Sequence, residues 1–167
     1  MTPQPGDVVL VSRGNGLFDR LVRWATVSPY FHAAIMVSET DLVEARLHGV
    51  KRRPLSEYGG HATILTVSGA NPGRRAKAVQ FAIESANANL PYGWRDIVAD
   101  ALRLGLRIPV GYRWFRWNSY DCSALVAECW RVAGVSITYH PAPAPADLGW
   151  SPVLIGPRVW ETAAKPQ

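Results

Sequence analysis

"FHAAIMVSETDLVEARLHGV", Phe31 to Val50, is the stretch on which the fold turns. Two apolar, β-prone runs flank a polar break near Ser38–Asp41, which is the pattern of a β-hairpin. A hairpin makes the sheet antiparallel at this point. Alternation then sorts the side chains. His32 shares a face with Ala34 and Met36, while Phe31, Ala33, Ile35 and Val37 take the other. On the returning strand Leu42, Glu44 and Arg46 share one face. With the turn near Ser38–Thr40, Glu44 falls opposite or diagonal to His32, within side-chain reach.

Working outward, "GDVVLVSRG" predicts a strand at Asp7–Ser12, and "HATILTVSG" predicts another. Leu17, Leu21 and Trp24 recur at helical spacing and predict an amphipathic helix that Pro29 ends. Asn71–Pro72–Gly73 reads as a turn. After it, "RRAKAVQFAIESANAN" predicts a helix with Ala76, Val79, Ile83 and Ala86 on one face. "WRDIVADALRLGL" predicts a further helix. "NSYDCSALVAECWRVAG", Asn118 to Gly134, predicts one more. "HPAPAPADLGWSP" is proline-rich and is expected to be an extended connection. Strands come first and helices later, without internal repeats or a long linker. The expectation is a single α+β domain over residues 1–167 with an antiparallel sheet and packed helices.

Composition narrows the function. Hydrophobic residues make up 48% of the 167 residues and charged residues 19%, enough for a real core. No apolar run is long enough to cross a bilayer. The first residues lack a basic segment followed by an apolar one, so no signal peptide is expected. The chain would then be cytoplasmic, phage-borne or exported by a non-standard route. The net charge of +5 suits an acidic partner such as a cell wall, an anionic lipid surface or nucleic acid. Lys51, Arg52 and Arg53 form the only basic triplet. No nucleic-acid motif accompanies it, so a nucleic-acid partner is not expected.

The two cysteines, Cys122 and Cys129, stand seven residues apart in one predicted helix. Their Cα atoms would lie roughly 10 Å apart at about 1.5 Å per residue, too far for a disulfide, which needs about 4.4–6.8 Å. Position separates their roles. Cys122 opens the helix, where unpaired N–H groups and the macrodipole favour a thiolate, and Asn118, Ser119 and Asp121 are available as caps. Cys129 sits mid-helix beside Leu125, Val126, Val132 and Ala133, as a core residue would. A nucleophilic thiol needs a base, and a base needs an orienting group. His32 and Glu44, on one hairpin, are the candidates; taken singly, His32 reads equally as a core histidine bonded to a backbone carbonyl, and Glu44 as an exposed strand residue paired with Arg46 or a neighbour. His48, His61 and His140 lie near turns or strand ends and read as surface residues. None of the four histidines makes a metal-ligand spacing with another or with a cysteine, so neither a metal nor another cofactor is expected.

"TVSPYFHAAIMV…LVEA" (Thr26–Ala45) and "YDCSALVAECW" (Tyr120–Trp130) together resemble the two halves of a papain-like cysteine hydrolase of the NlpC type. Histidine precedes cysteine here. That order resembles the circularly permuted branch: the bacterial permuted papain-like amidases and the lecithin retinol acyltransferase group. "LPYGWRD" (Leu90–Asp96) is similar to the superfamily's Pro-Tyr-x-Trp element, with Tyr92 in the tyrosine place. "PADLGWSP" (Pro145–Pro152) is similar to the closing segment of the permuted group. The resemblance touches nearly the whole chain and lies in the ordered set of short motifs. Ala124 departs from it, since the cell-wall peptidases usually carry Gly there. It implies a permuted papain-like fold and a Cys122–His32–Glu44 triad cleaving an amide. The Cys122 N–H and the Tyr92 hydroxyl would be oxyanion donors, and Asp121 and Ser123 positioning residues. Its implied substrates are cell-wall (peptidoglycan) peptides. A lipid-directed amidase, thioesterase or acyltransferase is the alternative, with Tyr112–Tyr120 as an acyl or membrane contact. A non-catalytic part of a phage or secretion assembly is the third.

Overall fold

The computed structural model describes residues 2–12, 28–46, 48–91, 121–140 and 143–157. Within them the chain runs β1 (Val8–Val11), β2 (His32–Met36), β3 (Asp41–Arg46), β4 (Gly49–Pro54), a 3₁₀ segment (Leu55–His61) and β5 (Ala62–Val67). Helices α1 (Pro72–Asn87), α2 (Cys122–Val132) and α3 (Pro145–Gly149) follow, and a two-residue strand β6 (Leu154–Ile155) closes the order. The six strands form one sheet in the order β4-β3-β2-β1-β5-β6, every neighbouring pair antiparallel. The fold is thus α+β, an antiparallel sheet with packed helices. The expected helix at Leu17–Trp24, the one over residues 94–106, and the segment Tyr112–Tyr120 lie outside the described residues.

Two apolar clusters divide along strand alternation. Val8, Leu10, Ala33, Ile35, Val43, Ala45, Val50, Leu65 and Val67 pack with Ala78 and Ala82 of α1 and Leu125, Val126, Cys129 and Trp130 of α2. Val9, Val11, Ala34, Met36 and Leu42 pack with Tyr58 of the 3₁₀ segment. Phe31, one residue before β2, packs with this second cluster rather than with Ala33 and Ile35, because it precedes the regular pleat.

The hairpin forms as its sequence implies: Ile35 pairs with Val43 and Met36 with Leu42. β3 then turns back at once into β4, with Arg46 opposite Gly49. Gly49 has φ +95°, and a Cβ there would come within 2.8 Å of Asn89 Oδ1 and 3.0 Å of the Leu90 carbonyl, so glycine is required. Val50 N–H donates to that carbonyl at 2.9 Å, tying β4 to the chain beyond α1.

Three expectations need correction. Asn71–Pro72–Gly73 is not a separate turn. Asn71 caps α1 by accepting from Arg74 N–H at 2.9 Å, and Pro72 is its first residue, where a missing N–H costs nothing. The buried stripe of α1 runs Ala78, Ala82, Ser85, so Val79, Ile83 and Ala86 flank it and Ala76 is exposed. The proline-rich segment is not wholly extended: Pro145 starts α3, and Asp147 Oδ2 accepts from the Ala144 N–H at 2.8 Å.

Candidate active site

α2 starts where its sequence lets it. Asp121, in extended conformation, is the N-cap, and its Oδ1 accepts from Ala124 N–H at 2.7 Å. Cys122 is therefore the first helical residue. Asp121 is 4% exposed and Ser123 fully buried, its hydroxyl 3.8 Å from the Cys122 sulfur. Asp121 acts on this site by setting where the helix begins. Asn118, Ser119 and Tyr92 lie outside the described residues. Cys129 is wholly buried in the helix-side cluster, and burial, with Glu128 adding to it, pushes its thiol well above the ordinary range. Both cysteines are free.

His32 is the first residue of β2 and is 7% exposed; Glu44 on β3 is 1% exposed. His32 Nε2 and Glu44 Oε2 are 2.5 Å apart. That bond assigns the Nε2 proton to the carboxylate and leaves Nδ1 as the nitrogen available to a thiol. The Cys122 thiol interacts with the same imidazole. Burial works against the charged ring, but its interactions with Cys122 and with the Glu44 carboxylate outweigh it and push His32 up to about 9. Burial likewise works against the Glu44 charge, yet His32, Tyr58 and Arg46 hold its carboxyl below the usual range.

Tyr58 has no counterpart in the sequence reading. Its hydroxyl donates to Glu44 Oε2, the oxygen that also takes the His32 proton. Its ring lies 6.1 Å from the imidazole at a tilt of 30°. Burial and the neighbouring carboxylate push the phenol up, so it stays a donor. Arg46, already placed on the Glu44 face by alternation, reaches Glu44 Oε1 with Nε at 2.8 Å and donates to the Tyr58 oxygen from Nη2 at 2.7 Å. Its guanidinium carbon lies 5.5 Å from the Tyr58 ring centre. Arg53 Nε lies 3.4 Å from Oε1. Neither guanidinium aims an N–H well enough for a hydrogen bond, so Oε1 has cations beside it but no hydrogen-bond donor. The only sequence signal for this shell was strand parity: Lys51 and Arg53 stand opposite Glu44 and Leu42, which puts them on the His32 face, while Arg52 lies on the other and pairs with Asp41 at 2.7 Å.

No family model and no curated protein matches the chain. Among solved structures it is similar to one described as the crystal structure of metalloprotein yiiX from Escherichia coli O157:H7, DUF1105. The two share 18% identity at a TM-score of 0.69, over 93% of this chain and 96% of that one. At that identity the likeness carries the fold alone. The neighbour's description raises the question of a metal. Among the described residues, no three His, Cys, Asp or Glu side chains could hold one. His32 Nε2 and Glu44 Oε2 are bonded to each other, and two guanidinium groups flank Oε1. That donor set does not fit a metal ion.

Proposed function

We propose that the protein is a thiol-dependent amide hydrolase of the circularly permuted papain-like type, with Cys122 as nucleophile, His32 as base and Glu44 as its orienting group. The observation that carries this reading is the buried 2.5 Å His32–Glu44 bond, which frees the second imidazole nitrogen for a cysteine at a helix N-terminus. On this reading Cys122, His32 and Glu44 stand as nucleophile, base and orienter in the order that chemistry requires.

The steps follow from these groups. The Cys122 thiolate attacks the amide carbonyl carbon, forming an S–C bond and a tetrahedral oxyanion. The Cys122 N–H, at the start of α2, donates to that oxygen, with the Tyr92 hydroxyl as the second donor. The oxyanion collapses, the C–N bond breaks, and His32 Nδ1 gives its proton to the leaving amine. A water then loses a proton to His32 and attacks the thioacyl carbon. The carboxylic acid leaves and the thiolate returns. Glu44 keeps the imidazole in the tautomer that serves both halves.

Cell-wall peptides are the substrate class we favour, in keeping with the +5 net charge and an anionic wall. The test is digestion of purified muropeptides, followed by a panel of fatty acyl amides and esters. Cleavage of muropeptides by the wild type and none by Cys122→Ala, which keeps the native circular dichroism, is the expected result. Turnover confined to acyl lipids would move the assignment to a lipid-directed amidase or acyltransferase. Full activity in Cys122→Ala would end the thiol reading. Cys129→Ala should keep activity and lose about 1 kcal/mol of stability, the order for deleting one buried heavy atom.

A further inference from the structure

The shell behind Glu44 is asymmetric. Oε2 takes two directed hydrogen bonds, from the His32 ring and the Tyr58 hydroxyl. Oε1 takes none, yet Arg46 Nε at 2.8 Å and Arg53 Nε at 3.4 Å attract it electrostatically. The charged and titratable groups that face Glu44 are His32 from β2, Arg46 from β3, Arg53 from β4 and Tyr58 from the 3₁₀ segment. Lys51, its cross-strand partner, is exposed, and Cys122 lies beyond His32. The carboxylate thus has two possible allegiances: the imidazole or the guanidinium pair. Rotating it toward the arginines would break the bond that orients His32.

We propose that Tyr58 is a positioning residue that pins Glu44 Oε2 on His32 against the pull of Arg46 and Arg53 on Oε1. Tyr58 suits this role by its own anchoring. Its body packs with Val9, Val11, Met36 and Leu42, so its hydroxyl cannot follow the carboxylate if that swings away. Arg46 donates to the same hydroxyl at 2.7 Å, which turns the phenolic proton toward Glu44, since an arginine can only donate. Arg46 therefore both pulls on one oxygen and primes the clamp on the other.

This inference rests on the Cys122–His32 reading, and its test separates the two. The probe is iodoacetamide, which alkylates Cys122 without a substrate, with buried Cys129 as the internal unreactive control. Alkylation rate is followed against pH by peptide mass. In wild type the profile should step near pH 9, where His32 loses its proton. His32→Ala should abolish that step. If it does not, the thiol–imidazole pairing itself fails. Tyr58→Phe removes only the hydroxyl; it should slow alkylation at pH 7 by about tenfold, the order for one hydrogen bond to a charged group, and move the step to lower pH. Arg53→Gln, at a side chain that meets this carboxylate through Oε1, relieves the pull and should move the step to higher pH. Opposite shifts support the clamp. A Tyr58→Phe profile that matches wild type, or shifts of the same sign in both variants, would overturn it while leaving the Cys122–His32 pair standing.

Discussion

A carboxylate as deeply buried as Glu44 is tolerable only while its partners stay charged or keep donating. That ties stability to pH from both sides. The folded-state value of His32 is raised, so its contribution is complete below the ordinary histidine range and is lost as pH rises through about 9. Glu44 is lowered, so its contribution holds above the ordinary carboxylate range and is lost as pH falls through its folded value. Thermal melts across pH should give a plateau between those limits. In Cys122→Ala, which lacks the thiol that helps raise His32, the alkaline fall should be smaller and end at lower pH; an unchanged alkaline limb would count against the pairing. Glu44 and His32 were legible in the sequence because a hairpin is local and its parity is fixed by a period of two. Tyr58 was not. It arrives from a 3₁₀ segment broken at Gly59 (φ 53°), where no periodicity says which way a side chain points.

Among elements, α2 joins the core to the chemistry. Leu125, Val126, Cys129 and Trp130 are fully buried against the sheet, so the helix is held along its length while Cys122 is presented at its first turn. Asp121→Ala removes the cap and should cost about 0.5–2 kcal/mol. It should also slow Cys122 alkylation, because the first turn frays first. Loss of stability with an unaltered alkylation rate would show that the thiol does not depend on the cap. The helix and its cap candidates were readable because capping residues and an apolar stripe are adjacent in sequence. β4 and α3 were not. β4 carries Lys51, Arg52 and Arg53 with no apolar alternation, and only pairing with β3 makes it a strand. α3 sits in a proline-rich run, but its proline occupies the helical start, the one turn where proline is at home.

At the scale of the whole molecule, the N-terminal residues are fastened to distant elements through one buried acid. Asp7 is 1% exposed; its Oδ1 takes Thr66 Oγ1 of β5 and Arg75 Nη1 of α1, each at 3.0 Å, and its Oδ2 takes the Gln4 N–H at 2.9 Å. Arg75 also donates to the Pro5 carbonyl at 3.0 Å. Arg75→Met keeps the aliphatic stem and removes the charge, which should lower stability by about 1.5–3 kcal/mol, the range for hydrogen bonds to charged groups. Urea unfolding should show a lower midpoint at an unchanged slope. No change would mean that solvent replaces the guanidinium without cost. Among the described residues the sheet ends on β4 at one side and on the two-residue β6 at the other. A free strand edge is a template on which another chain can polymerise. β6 is too short to template, and β4 bears three consecutive cations before Pro54 closes it. Arg53 of that row stands behind Glu44, and the row as a whole repels a second sheet, so replacing it with neutral β-formers would trade solubility for aggregation.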